Sequence, residues 1–169
     1  ACVYLTKNER RKKFRAIQKK DLDAYELSKK TLEKKKIELS KKLNINPIPD
    51  EFLVRTGGNQ MAVLHYGMNT FGDLFNIRQQ LILISITEKI HDVYEKMIMD
   101  GVEQDYAKAI VTYLALALDR LSDYNSRLSF WVPSGEFIAH TFGRQALQMT
   151  WDYFELCPWS GSTGDLNSA

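Results

Sequence analysis

Cysteine, histidine and long apolar runs are scarce in this sequence of 169 residues, which contains two cysteines and three histidines. Cys2 and Cys157 alone complete no zinc ligand set and suggest no disulfide framework, so they indicate a reducing, cytoplasmic environment. The histidines show no metal-ligand spacing, because Glu88 and His91 match only one half of a di-iron carboxylate motif. No Ser-His-Asp or Cys-His arrangement is recognisable either. We therefore expect no metal ion and no catalytic residue in this chain.

A membrane-spanning segment is also missing. The apolar stretch from Ile110 to Leu118 is far shorter than the roughly 18–20 apolar residues that a span needs. The first residues have no apolar run behind their charges, unlike a signal peptide. The chain does not begin with Met, and we expect it to be an internal piece of a longer protein.

The net charge of +2 conceals an uneven distribution. Residues 1–45 contain 15 Lys and Arg against 6 Asp and Glu, whereas residues 46–169 contain 8 against 15. A basic segment attached to an acidic body favours contact with a polyanion or with an acidic partner. The candidate phosphate-contacting side chains are Arg10, Arg11, Lys12, Lys13 and Arg15. The alternative is an ordinary solvated run of charge.

Helix signals cover most of the chain. Asp21 is a good N-cap for a long helix that reaches Leu43 and either docks along one edge of the body or projects from it. Asn76 and Gln79 form a capping box for a second helix that Gly101 ends. A third helix within residues 106–131 is apolar all round over Ile110 to Leu118, which predicts burial on every side.

The residues between and after these helices complete the predicted architecture. Prolines and glycines predict an irregular linker at residues 46–75. Pro133 and Ser134 are expected to start a fourth helix over about Gly135 to Leu156. We expect an all-α, bundle-like fold with a long basic N-terminal helix and an irregular linker. Its parts are a basic arm and helix at 1–45, the linker at 46–75, and a helical core with a Gly/Ser-rich tail at 76–169.

Polar residues are concentrated in the second half of the third helix. Polar groups along a buried helix must be paired or must face a site. The density of such groups indicates a functional polar face, while the alternative is the capped polar end of a core helix. The candidate residues are Asp119, Arg120, Asp123, Asn125, Arg127 and, further along the chain, Arg144.

Three long motifs together resemble a known family. They are YGMNTFGDLFNIRQ from Tyr66, LALALDRLSDYNSRLSFW from Leu114 and HTFGRQALQMTWDYFELCPWSGSTG from His140. In this order they resemble the middle of the large adenine-specific DNA methylases that contain a zinc ribbon. The likeness covers roughly residues 62–164, with Cys157 standing where the family usually has asparagine.

The resemblance implies a parent enzyme that transfers a methyl group from S-adenosylmethionine to adenine N6. In that family, the cofactor loop and the zinc ribbon lie upstream of this region and the catalytic Asp-Pro-Pro-Tyr lies downstream. None of these occurs here, so no cofactor-binding or metal-binding residue is assigned and no cofactor is expected in this piece. The implied partners are DNA and the remaining methyltransferase domains.

The interpretation that follows is a helical insert, inactive by itself, which supports DNA binding or interdomain packing. The alternative is a helical scaffold or dimerisation module without enzymatic role, in which residues 21–43 pair with a partner helix.

Overall fold

The computed structural model describes residues 2–4, 13–54, 62–143, 146–161 and 164–166, and only the backbone of residues 2–4 and 13. Its helices are α1 (Lys19–Leu43), α2 (Ile77–Met99) and α3 (Gln104–Tyr124). Two antiparallel hairpins pair β1 (Cys2–Tyr4) with β2 (Lys13–Arg15) and β3 (Phe130–Val132) with β4 (Phe137–Ala139). The prediction of a mainly helical domain is confirmed, but the hairpins mean that the fold is not purely all-α.

Helix α2 lies in the middle of the helical layer, since it packs against both α1 and α3. It begins at the predicted capping box, in which the side chains of Asn76 and Gln79 each accept from the other's backbone N–H. It ends before Gly101, which has a φ of +80°. The N–H of Val102 then donates to the carbonyl of Met97, so the last carbonyls of the helix are satisfied. Both predicted ends of this helix are confirmed.

The start of α1 differs from the prediction. The N-cap is Gln18, and Asp21 is the third helical residue. From that position the carboxylate of Asp21 accepts from the backbone N–H of Gln18 at 2.8 Å. It also accepts from both terminal nitrogens of Arg15, at 2.7 and 2.8 Å. An acidic side chain one turn inside a helix can reach back to the N-cap, which explains the shift of the helix start.

Helix α1 docks along one edge of the layer, which was one of the two predicted placements. Leu32 and Leu39 are buried against Ile84 of α2. The guanidinium of Arg78 lies 5.5 Å from the ring centroid of Tyr25, whereas Lys42 donates to Asp92 at 2.6 Å. Residue numbers therefore rise together along both helices, so α1 and α2 run parallel.

The ion pairs at the end of α1 predict a pH dependence. Hydrogen bonds from Lys42 and then Lys89 lower the pKa of Asp92 from 3.8 to about 2. A lowered pKa stabilises the folded state fully above the unfolded value, and that contribution disappears as pH falls through the folded value. We expect the urea midpoint difference between the wild-type protein and Asp92→Asn to stay constant from neutral pH to about 5 and to shrink below about 4. A difference that persists undiminished at about pH 2.5 would contradict this.

Helix α3 is not buried on every side, contrary to the prediction. Tyr113, Leu114 and Leu116 are 74%, 39% and 57% exposed. The described part of this helix buries only Ala107 and Leu121. The helix forms an antiparallel hairpin with α2 and has no third helix over its outer side within the described residues, so its apolar surface remains in solvent. No helix among the described residues is long and apolar enough to cross a membrane.

The predicted fourth helix is wrong. Residues 137–139 form the second strand of a hairpin, and residues 140–156 contain no helix where the structure describes them. Trp131 pairs with Ile138 in the hairpin, and the N–H of Gly135 closes the turn on the carbonyl of Val132. Glu136 has a φ of +52°. Aromatic and β-branched residues on either side of a Pro-Ser-Gly turn favour strands, and this signal was stronger than the helical periodicity.

The segment predicted as an irregular linker is irregular but packed. It contains two short 3-10 helices, Ala62–Tyr66 and Gly72–Leu74. Leu53, Val63, Met68 and Leu74 are buried in one cluster with Leu128 and Leu147 from the C-terminal part. Four apolar side chains of this segment therefore belong to the hydrophobic core.

The N-terminal hairpin contacts the C-terminal part through aromatic rings. Phe14 of β2 packs edge-to-face on Trp131 with ring centroids 6.1 Å apart. Trp131 in turn stacks on Phe154 at 5.1 Å. These contacts connect the N-terminal hairpin to β3 and to the C-terminal segment.

Candidate functional site

The basic residues predicted to contact phosphate are only partly described. Arg10, Arg11 and Lys12 lie outside the described residues, and Lys13 is described only as backbone of β2. Arg15 forms the bidentate ion pair with Asp21 and is 26% exposed in its side chain. This arginine therefore stabilises the first turn of α1 through Asp21.

A second basic surface, which the sequence analysis did not single out, lies on α1. Its members are all exposed and lie on the side of the helix opposite the buried Leu32 and Leu39. They are Lys19, Lys30, Lys34 and Lys41, here called the lysine row. These lysines are separated by eleven, four and seven residues. Each separation is close to a whole number of helical turns, so the four side chains share one face of the helix, and this pattern is visible in the sequence.

The predicted polar face at the end of α3 divides into an exposed part and an internal part. Asp119 and Arg120 are exposed, and the guanidinium of Arg120 lies 5.6 Å from the ring centroid of Tyr124. The helix ends at Tyr124, so Asn125 and Arg127 lie beyond its last turn. Arg144 lies outside the described residues.

Asp123 attaches the segment after β4 to the end of α3. Its Oδ1 accepts from the N–H of Phe142 at 2.8 Å, and its carbonyl accepts from the N–H of Thr141 at 2.8 Å. Its Oδ2 lies 3.4 Å from Nδ1 of His140. The His140 ring also stacks on Tyr124, with centroids 5.6 Å apart. The carboxylate thus has partners on two sides and acts as a structural bridge.

A cleft of about 350 Å³ opens beside His140. Its lining is mixed, with Leu128 and Phe130 on one side and Thr141, Gln148 and Thr150 among the polar groups. The hydroxyl of Thr141 is only 2.6 Å from that of Ser126, and it also donates to the carbonyl of Asp123 at 2.7 Å. These hydroxyls are engaged with each other and with backbone, so they form no nucleophile–base pair with His140.

Asn125 is fully buried and serves as an internal connector. Its Oδ1 accepts from the N–H of Leu156 at 2.9 Å and from Nε2 of the buried Gln79 at 3.3 Å. Ser129 is also buried, and its hydroxyl donates to the carbonyl of Phe154 at 2.8 Å. Asn125 therefore ties α2, the end of α3 and the C-terminal segment together.

Arg127 likewise points into the fold. Its backbone N–H donates to the carbonyl of Leu74 at 2.7 Å, and its guanidinium donates to the carbonyl of Asp73 at 3.1 Å. Burial would raise the pKa of Asp73, but the N–H groups of Thr70 and Asn69 donate to its carboxylate and hold the pKa below its usual 3.8. Arg127 thus fastens the 3-10 turn that precedes α2.

A polar cluster at the start of α2 was not anticipated. Glu155 accepts from the side-chain nitrogen of Asn76 at 2.6 Å and from Nη2 of Arg78 at 2.8 Å. Asn76 also donates to the hydroxyl of Tyr153 at 3.1 Å. A carboxylate at a helix N-terminus complements the helix dipole, so this cluster is structural.

The Gly/Ser-rich tail is folded back on itself where it is described. The N–H of Gly161 donates to the carboxylate of Asp165 at 2.6 Å, and that of Leu166 donates to the carbonyl of Pro158 at 3.0 Å. The N–H group of Gly161 in this glycine-rich loop therefore already binds a carboxylate from the loop itself, that of Asp165. The same N–H group would otherwise be open to an external anion. Cys157 is a free, exposed thiol, and no three His, Cys, Asp or Glu side chains of the described chain are grouped as metal ligands.

No family model, no curated protein and no solved structure matches this chain.

Proposed function

We propose that this chain is a helical insert of a larger, cytoplasmic S-adenosylmethionine-dependent adenine-specific DNA methyltransferase, and that it holds DNA without taking part in catalysis. The motifs from Tyr66 to Gly164 support the family. The observation that carries the DNA contact is the lysine row on the outer side of α1. The remaining methyltransferase domains would supply the cofactor site and the catalytic residues.

The lysine row has dimensions that suit a duplex. Lys19, Lys30 and Lys41 are eleven residues apart, which is about 16 Å at 1.5 Å per residue. The row therefore extends over about 33 Å, close to the roughly 34 Å of one turn of B-DNA. The opposite side of α1 is docked on α2, so the helix presents the row on a rigid support. Lysines spaced in this way would contact phosphates, which provide affinity without sequence specificity.

The internal hydrogen bonds of the resembling motifs support a role without catalysis. Asp123, Asn125, Ser129 and Arg127 all bond to backbone groups of neighbouring segments. A base-modifying enzyme must extract its target base and hold the distorted duplex, and this demands rigid non-catalytic parts. The insert would meet that demand beside the catalytic domains.

A salt titration of duplex binding tests the DNA contact. Lys30→Gln combined with Lys41→Gln is expected to reduce the slope of log K against log salt by about 2, since each lysine neutralises about one phosphate. The matched control is Lys89→Gln combined with Lys96→Gln, which removes the same charge from exposed positions of α2. An unchanged slope in the first variant, or equal losses in both, would contradict the proposal.

The second candidate, a dimerisation module built on residues 21–43, is less favoured. Leu32 and Leu39, two apolar residues through which this helix would pair with a partner, are 3% and 1% exposed because they pack against α2. A partner helix would have to displace α2 to reach them.

A further inference from the structure

Helix α3 carries an unpartnered apolar stripe on its solvent side. Tyr106, Ala109, Tyr113, Leu116 and Arg120 follow one another at alternating spacings of three and four residues. All five are exposed, with Tyr106, Tyr113 and Leu116 at 60%, 74% and 57%. Solvent-facing helix surfaces are normally polar. Alternating spacings of three and four residues are typical of a seam between two helices.

We propose that a second copy of this chain covers the stripe, with the two α3 helices antiparallel and a two-fold axis beside Tyr113. In this register, a residue of one copy lies at the same height along the helix pair as a residue of the other copy when their two numbers sum to about 226. The two-fold symmetry about Tyr113 requires this relation. Arg120 of one copy then lies opposite Tyr106 and Asp105 of the other.

Charge complementarity selects this arrangement. Asp105 is exposed at the start of α3, where its Oδ1 lies 3.2 Å from Nζ of Lys108 in the same helix, and Arg120 is exposed at the end of α3. The antiparallel pairing brings Arg120 of each copy close to Asp105 of the other, and the two-fold symmetry repeats this contact. A parallel pairing would place like charges side by side, which is unfavourable. Arg120 could also lie over the ring of Tyr106, a cation–π geometry like the one it has with Tyr124.

The contact is small, which sets the expected affinity. Two half-exposed tyrosines and one leucine per copy provide well under the roughly 800 Å² per partner of a standard interface. We therefore expect a reversible dimer with a dissociation constant on the order of 10 to 100 µM. The proposal is independent of DNA binding, since α1 packs on α2 and its lysine row faces away from that helix.

Sedimentation equilibrium from about 1 to about 300 µM tests the dimer. Wild-type protein is expected to shift from monomer to dimer across this range. Tyr113→Glu and Leu116→Glu should each weaken association at least tenfold without unfolding the chain, because both side chains lie in solvent. The control is Ile37→Glu, at an equally exposed apolar position of α1 (58%). A wild-type protein that stays monomeric, or an equal loss with Ile37→Glu, would overturn the proposal.

A charge-exchange series tests the register. Asp105→Arg and Arg120→Asp are each expected to weaken the dimer, and the double variant should restore most of the affinity, because the pair is rebuilt with reversed polarity. A Tyr113→Cys variant in a background with Cys2→Ser and Cys157→Ser should form a disulfide-linked dimer on oxidation, since the two-fold axis places the two thiols together. A double variant weaker than both single variants, or no cross-link at concentrations where the wild type is dimeric, would refute this register.

Discussion

Replacing Gly164 by alanine is expected to lower the free energy of unfolding by about 3 kcal/mol. Gly164 has a φ of +88°, and a Cβ there would lie 2.6 Å from Cδ1 and 2.8 Å from Cβ of Tyr124. The substitution therefore combines backbone strain with a clash against the last residue of α3. The clash can be relieved only if the tail moves away from the helical layer. Urea unfolding followed by tryptophan fluorescence measures the loss.

Gly161 provides the matched control in the same tail. Its φ of +70° imposes a similar backbone strain, but a Cβ there would meet no heavy atom of the described residues within 4 Å. We expect Gly161→Ala to cost only about 1 kcal/mol. Equal effects at the two positions would mean that Tyr124 does not pack against the tail as the structure describes.

Replacing Asn125 by alanine is expected to cost about 3 kcal/mol of stability. The truncation removes the acceptor that satisfies the N–H of Leu156 and the side chain of Gln79, both of which are buried. It also leaves a small cavity between α2 and the C-terminal segment. Thermal and urea unfolding of the variant measure the change, and amide hydrogen exchange at Leu156 locates it.

Thr112→Ala is the control for Asn125→Ala. Thr112 is exposed on α3 and its hydroxyl bonds only to the carbonyl of Lys108 one turn earlier. We expect a change within about 0.5 kcal/mol. If Asn125→Ala left stability unchanged but weakened DNA binding, Asn125 would belong to a functional surface and the structural interpretation would be wrong.

The Asn125 substitution tests how the polar residues at the end of the third helix are interpreted. The sequence indicated one functional face from Asp119 to Arg127. In the structure, Asp119 and Arg120 face solvent, while Asn125 and Arg127 lie beyond the last helical turn and bond inward. The sequence contains the polar density but not the helix end at Tyr124 that separates the two groups. A capped polar helix end, the alternative weighed for this stretch, describes Asn125 and Arg127 better.

The sequence by itself determined the features that depend on neighbouring residues. The capping box of Asn76 and Gln79 and the glycine stop at Gly101 were both predicted, because each is formed within a few residues. The outer lysine row of α1 was also present in the sequence as a helical spacing. Its meaning became visible only after Leu32 and Leu39 established which side of α1 faces α2.

Tertiary structure alone decided which apolar residues are covered. Ile110 to Leu118 looks like a buried helix in the sequence, yet Tyr113 and Leu116 lie in solvent because, within the described part of the chain, α3 packs on a single neighbouring helix. The stretch after Pro133 became a hairpin, since Trp131 and Ile138 pair across the turn and pack on Phe154 and Leu121. Periodicity reports which residues share a face of an element, whereas burial depends on what lies opposite that face, and residues distant in sequence determine it.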